Sequence, residues 1–251
     1  MANTRKQNIS MLLFRSLLFS LGMAVTVVIF ATLATLLFPF PFSIRYRFIT
    51  QWANINLWWL RVSCDLKYEV QGAENIPSGN GIIFCKHQSA WETLALQQIF
   101  PPQVWLLKRE LLFVPFFGWG LALLEPIAIN RSDRKKAMRQ LIEEGTKRLE
   151  DGRWVVIFPE GTRIPPGKMG AFKKGGSVLA EKSAYPVVPV AHNAGEYWAR
   201  RSLIKKPGTI QVRIGPPIDT KGLNAREINE LAKKWIAGQM EQITTLKSDQ
   251  A

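Results

Sequence analysis

The chain has 251 residues, 47% apolar and 21% charged, enough to bury the core of one α/β domain and too apolar for a disordered chain. Thirty-three Lys and Arg against 19 Asp and Glu give a formal charge of +14, which points to an anionic partner such as nucleic acid, an anionic membrane or a phosphorylated metabolite. Cys64 and Cys85 form neither a C-x-x-C pair nor a zinc-ligand spacing and read as buried, reduced thiols, which excludes a disulfide scaffold.

The first predicted element is a membrane segment. Residues 1–62 hold six basic side chains (Arg5, Lys6, Arg15, Arg45, Arg47, Arg61) and no acidic one. From Ser16 to Ile44 there is no charge, and the 23 residues up to Phe38 suffice for a helix across a bilayer at about 20 residues per span. That run is longer than the roughly 7–15 apolar residues of a signal peptide. Pro39 and Pro41 interrupt the helix. Trp52, Trp58 and Trp59 then occur among basic residues, the composition of an interfacial helix. A spanning helix and a hairpin dipping into one leaflet both fit. The chain thus divides into a membrane-anchoring segment, 1–62, and a folded domain, 63–251.

In that domain short apolar runs alternate with amphipathic ones. Strands are predicted at 81–85 (GIIFC), 103–107 (QVWLL), 126–130 (PIAIN), 154–158 (WVVIF), 185–190 (YPVVPV) and 209–215 (TIQVRIG). A helix begins near Trp91. Another runs from Asp133 to Asp151, with Ser132 or Asp133 as N-cap, Gly152 as its stop, and Met138, Leu141, Ile142 and Leu149 on one face. A last helix passes through Ile228, Leu231, Trp235 and Ile243. The pattern predicts an α/β fold, a mixed, largely parallel sheet covered by helices, preceded by the N-terminal membrane-embedded helical segment.

Three polar clusters directly follow predicted strands: KHQSAWE after 81–85, INRSD after 126–128, and PEGTR after 154–158. The carboxyl ends of strands form the ligand crevice in such folds. His87 and Glu92 lie five residues apart, about 140° on a regular helix, so they pair only if His87 sits in the strand-to-helix turn and Glu92 in the first helical turn. There the carboxylate would orient the imidazole as a general base. His-x4-Glu alone reads equally well as a satisfied polar residue at a strand end. Glu160-Gly161-Thr162-Arg163 adds a permissive glycine, a hydroxyl and a guanidinium fork suited to phosphate, and Lys108 and Arg131 bring further cations to strand ends. Lys173-Lys174 reads more simply as a solvated face, and His192 as structural.

Other motifs fail. There is no G-x-S-x-G elbow; GTRIPPGKM has five residues between its glycines and Met169 after Lys168; and no set of residues has metal-ligand spacing.

The ordered blocks KHQSAWE, LLKREL, INRSD, VIFPEGTR and VVPVAHNAG resemble the glycerolipid acyltransferases, specifically the 1-acyl-sn-glycerol-3-phosphate acyltransferases, over roughly residues 65–220. The resemblance implies acyl transfer from acyl carrier protein or coenzyme A to the 2-hydroxyl of lysophosphatidic acid, giving phosphatidic acid, with no cofactor and no metal. It implies His87 as general base, with Glu92 where the family pattern has Asp. Glu160 and Gly161 match the second catalytic block, the Gly161 amide as an oxyanion donor. Lys108, Arg131, Thr162 and Arg163 fall at phosphate-binding positions. The apolar run 111–124 reads as either an acyl-chain groove or a core element. The expected location is the inner membrane, with the domain on the cytoplasmic side. Two rival readings are an enzyme of this fold with another lysophospholipid acceptor, and a membrane-attached nucleic-acid binder. The second lacks any nucleic-acid-binding motif, so no nucleic-acid partner is expected.

Overall fold

The structure is a computed structural model describing residues 2–130 and 132–245, with side chains from residue 9 onward. Two long helices come first, α1 (Ala2–Thr35) and α2 (Phe42–Cys64). They fold back on each other around the two prolines. Trp52 Nε1 and Asn56 Nδ2 of α2 donate to Thr26 Oγ1 of α1 at 3.1 and 3.3 Å, and Arg15 Nε donates to the Ser63 carbonyl at 2.6 Å. Residues Ile9–Thr35 are long and apolar enough to cross a membrane by length and composition, and this N-terminal apolar helix suggests membrane association. The second helix does more than lie at an interface. Its Tyr46, Ile49, Ala53, Leu60 and Cys64 belong to the same buried cluster as the sheet residues Ile83, Val188 and Val212.

The chain continues through β1 (Leu66–Gln71), β2 (Ile82–Cys85), α3 (Trp91–Ile99), β3 (Gln103–Lys108), α4 (Phe117–Ala122), β4 (Ile127–Ile129), α5 (Arg134–Glu150) and β5 (Trp154–Ile157). It closes with α6 (Gly175–Ser183), β6 (Val187–His192), α7 (Ala194–Tyr197), β7 (Gly208–Ile214) and α8 (Ala225–Ile243). The seven strands form one sheet in the order β1-β7-β6-β2-β5-β3-β4, parallel throughout except for the antiparallel β6–β7 pair. The mixed, largely parallel sheet is therefore as expected.

The period of two along a strand divides the core between two layers. Ile83 and Cys85 face α2 and α3, while Ile82 and Phe84 face α5, α6 and α8. On α5 the inward positions are Ala137, Leu141, Gly145 and Leu149, with Met138 and Ile142 only half-buried. A leucine would not fit at 145, because a Cβ there would stand 2.7 Å from Leu179 of α6. Asp133 is the N-cap, accepting from the Lys136 amide, and Gly152 ends the helix at φ +77°.

Both cysteines are buried and free. Three elements differ from expectation. An edge strand, β1, follows α2 directly; Lys174-Gly175-Gly176-Ser177 opens a helix; and β6 begins at Val187 and reaches His192.

One contact joins the first helix to the far side of the domain. The Lys205 amide donates to Ser16 Oγ at 2.9 Å and its ammonium to Ser20 Oγ at 2.8 Å, beneath the edge-to-face pair Phe19–Trp198. Lys205 is 4% exposed.

Candidate active site

β2, β5, β3 and β4 are parallel neighbours, so the loops after them meet at one edge of the sheet. They open into a groove of about 1360 Å³. His87 lies in the turn after β2 and Glu92 is the second residue of α3, the arrangement their spacing demanded. His87 Nδ1 stands 2.8 Å from Glu92 Oε1. The same carboxylate accepts from the Gln88 amide at 3.0 Å and the Ser89 amide at 2.9 Å, and it is fully buried.

Burial pushes the Glu92 carboxyl upward, but the His192 and His87 imidazoles and the Ser89 amide outweigh it, so its pKa is held below the ordinary range. An ionised carboxylate can only accept, so Nδ1 of His87 carries the proton and Nε2 is left as a base. The His87 ring, which lines the groove, is stacked on Phe158 with centroids 4.0 Å apart.

Behind this pair lies a second one. Lys86 Nζ donates to Glu160 Oε1 at 2.6 Å, and neither side chain is exposed. Glu160 also accepts from the amides of His87 at 3.2 Å and Gly170 at 2.7 Å. Burial draws the Lys86 pKa down, opposed by Glu160. The His87 carbonyl accepts from the Ile164 amide at 2.8 Å. Glu160 therefore holds the His87 turn against the loop after β5 and does not line the groove.

His192, at the end of β6, accepts the Ala194 amide on Nδ1 at 3.2 Å and so donates from Nε2 to the Lys86 carbonyl at 2.8 Å. Burial lowers its pKa, opposed by the Glu92 carboxylate.

The expected phosphate-binding residues are brought together in part. Lys108, Thr162 and Arg163 line the groove; Arg131 lies outside the described residues. Gly161 lines it as well at φ +66°, and its amide donates to the Phe158 carbonyl at 2.9 Å instead of facing the groove as an oxyanion donor. A Cβ at 161 would stand 2.7 Å from the Lys173 ammonium, which lies across this glycine.

Four further cations line the groove: Lys173 and Lys174, expected as a solvated face, and Arg134 and Arg200, which no sequence motif marks; Arg200 Nη1 donates to the Arg163 carbonyl at 3.4 Å. Lys173-Lys174 had a signal in its position before two glycines; Arg200 had none. At its other end the groove is apolar, lined by Val27 and Ala31 of α1, Trp52 of α2, and Phe117 and Leu121 of α4.

A base with a free nitrogen, several cations and a long apolar channel suit a reaction on a phosphorylated, acyl-bearing substrate. The comparisons agree. The acyltransferase family profile matches residues 67–193. The 1-acyl-sn-glycerol-3-phosphate acyltransferase of Pseudomonas aeruginosa is 48% identical over 93% of each chain. That of Saccharomyces cerevisiae is 33% identical over 79% of this chain and 67% of its own. The crystal structure of the 1-acyl-sn-glycerophosphate (LPA) acyltransferase from Thermotoga maritima superimposes with a TM-score of 0.78 at 25% identity, covering 94% of this chain and 98% of that one. The chain is an enzyme belonging to the 1-acyl-sn-glycerol-3-phosphate acyltransferase family.

Proposed function

We propose that the enzyme transfers a fatty acyl group from a thioester, on acyl carrier protein or coenzyme A, to the 2-hydroxyl of 1-acyl-sn-glycerol-3-phosphate, giving phosphatidic acid. The observation that carries this reading is the His87–Glu92 bond at the cationic end of an apolar groove. Residues 1–62 hold the chain on the inner membrane, with the domain on the cytoplasmic side where thioester donors are made. The acceptor phosphate rests on Lys108, Arg163 and Thr162, with Arg131 the further cation expected from the sequence, and its acyl chain follows the apolar wall of α1 and α4.

His87 Nε2 takes the hydroxyl proton as the oxygen attacks the thioester carbonyl. Glu92 stabilises the imidazolium, as the carboxylate does in a serine-protease triad. The tetrahedral oxyanion forms on the side of Gly161, where the Lys173 ammonium supplies positive charge. Collapse breaks the carbon–sulfur bond, and the proton passes from His87 to the departing thiolate. No acyl-enzyme is needed, since the acceptor brings its own nucleophile.

The test is acyl transfer to 1-acyl-sn-glycerol-3-phosphate by the purified protein in detergent, beside His87→Ala and beside other lysophospholipids. Phosphatidic acid made by wild type and not by His87→Ala is the expected result. A higher kcat/KM on a lysophospholipid without the terminal phosphate monoester would overturn the acceptor assignment.

A further inference from the structure

The groove has two unlike walls. Its lining contains six cations, Lys108, Arg134, Arg163, Lys173, Lys174 and Arg200, and no carboxylate among the described residues. One phosphate monoester on Lys108 and Arg163 leaves positive charge over. The surplus continues out of the groove along the first turn of α5, where Arg134, Lys135 and Lys136 are exposed and make no ion pair among the described residues. Apart from the Asp133 N-cap, the first turn of α5 has no acidic side chain, so three consecutive cations stand at the positive end of a 17-residue helix dipole, where they weaken the helix. Folding alone gives no reason for them there.

Another part of the rim differs. Leu111, Phe113, Val114, Phe117 and Trp119 are exposed, with Phe113 at 72%, and they adjoin the exposed apolar face of α1. Between Gly120 and Ser202 no large apolar side chain is exposed among the described residues. The apolar rim suits lipid, and the basic rim offers nothing to insert into it. A partner approaching the basic rim therefore comes from water and carries negative charge over an area wider than one phosphate.

Resting on the acyl transfer proposed above, we propose that the first turn of α5, Arg134-Lys135-Lys136, with Lys174 beside it on the groove wall, is the docking surface for an acidic acyl carrier protein that delivers the thioester. The carrier's acidic helix face lies on this turn while its acyl-bearing arm enters the groove between α5 and the loop after β5. Association through exposed charges of this kind is steered and salt-sensitive.

The experiment compares wild type with Lys135→Glu/Lys136→Glu, neither of which lines the groove, using the same acyl group on carrier protein and on coenzyme A. Acidic residues in the first turn favour α5, so the variant keeps its fold. The expected result is a fall of at least tenfold in kcat/KM with acyl carrier protein, carried by KM and shrinking as salt is raised. With acyl coenzyme A the change stays under threefold. No change with the carrier protein overturns the proposal. An equal loss with both donors also overturns it, since the turn would then read only the phosphate that both donors carry. Loss of binding to anionic vesicles, with the donor preference unaltered, assigns the turn to the membrane and overturns it too. Absence of acyl transfer by wild type from either donor is a separate result, which removes the underlying function and not the docking surface alone.

Discussion

Two buried carboxylates lie at the mouth of the same sheet, each in hydrogen-bond contact with one cationic or imidazole side chain. Glu92 meets His87, which lines the groove; Glu160 meets Lys86, which does not. Both are held by backbone amides, Glu92 by those of Gln88 and Ser89, Glu160 by those of His87 and Gly170. The difference lies in what the partner can reach. An imidazole stacked on Phe158 with one nitrogen left over can exchange a proton with a ligand. A sealed ammonium can only hold two loops together. Burial and hydrogen bonding alone thus leave the two carboxylates alike; the access of their partners to the groove sets them apart.

Mutations should separate the two centres. His87→Ala is expected to lower kcat by about 10⁴-fold while thermal unfolding stays near that of wild type, the upper end of what a general base contributes. Glu160→Ala acts first on stability. It strands the Lys86 ammonium in the core, at about 3–5 kcal/mol of stability, seen as a melting temperature lower by roughly 10 °C. Lys86→Met added to it should recover much of that loss, whereas a double variant no more stable than Glu160→Ala would mean the Lys86 charge was not the cause.

Glu92→Gln keeps the shape but removes the charge that fixes the His87 tautomer, and a fall of about 10²-fold in kcat is expected. Glu92→Asp restores the charge and should recover most of that activity; failure to do so would show that the longer side chain is required here.

Smaller effects sharpen the picture at its edges. Arg163→Ala should raise KM for the phosphorylated acceptor about tenfold with little change in kcat, as loss of one charge-assisted hydrogen bond implies. His192 supplies a pH test. Burial holds its folded pKa below the 6.5 of the free side chain, so the unfolded chain takes up the proton first. Its contribution is complete above pH 6.5 and is lost as the pH falls through the folded value, giving wild type a steeper acid-side decline in unfolding free energy than His192→Gln. Identical slopes would mean that His192 does not titrate on unfolding.

The same comparison explains what could be read from the sequence. His87 and Glu92 are five residues apart, so one turn brings them together and their spacing alone states the geometry. Lys86 and Glu160 are 74 residues apart, and their pairing depends on β5 lying beside β2, which no local pattern encodes. The strands with continuous apolar runs were visible. The edge strand β1 was not, although Leu66, Tyr68 and Val70 alternate with Lys67 and Glu69 as in a half-buried strand, because only Asp65 separates it from a long helix. The start of α6 was hidden by Gly175 and Gly176, which read as a loop. They are glycines because a Cβ at 176 would stand 2.7 Å from Phe84 and one at 175 would stand 3.2 Å from Leu141. Arg200 reaches the groove only through the fold of the segment after β6.

Lys205 has a practical consequence for anyone wanting a water-soluble form of this enzyme. Trimming the chain before α2 would delete Ser16 and Ser20, both hydrogen-bond partners of Lys205, and uncover Trp198 and one apolar side of the groove together. A truncation would have to be accompanied by redesign of position 205 and of the aromatic pair above it. The first helix is a wall of the enzyme and not a tether that can be cut away.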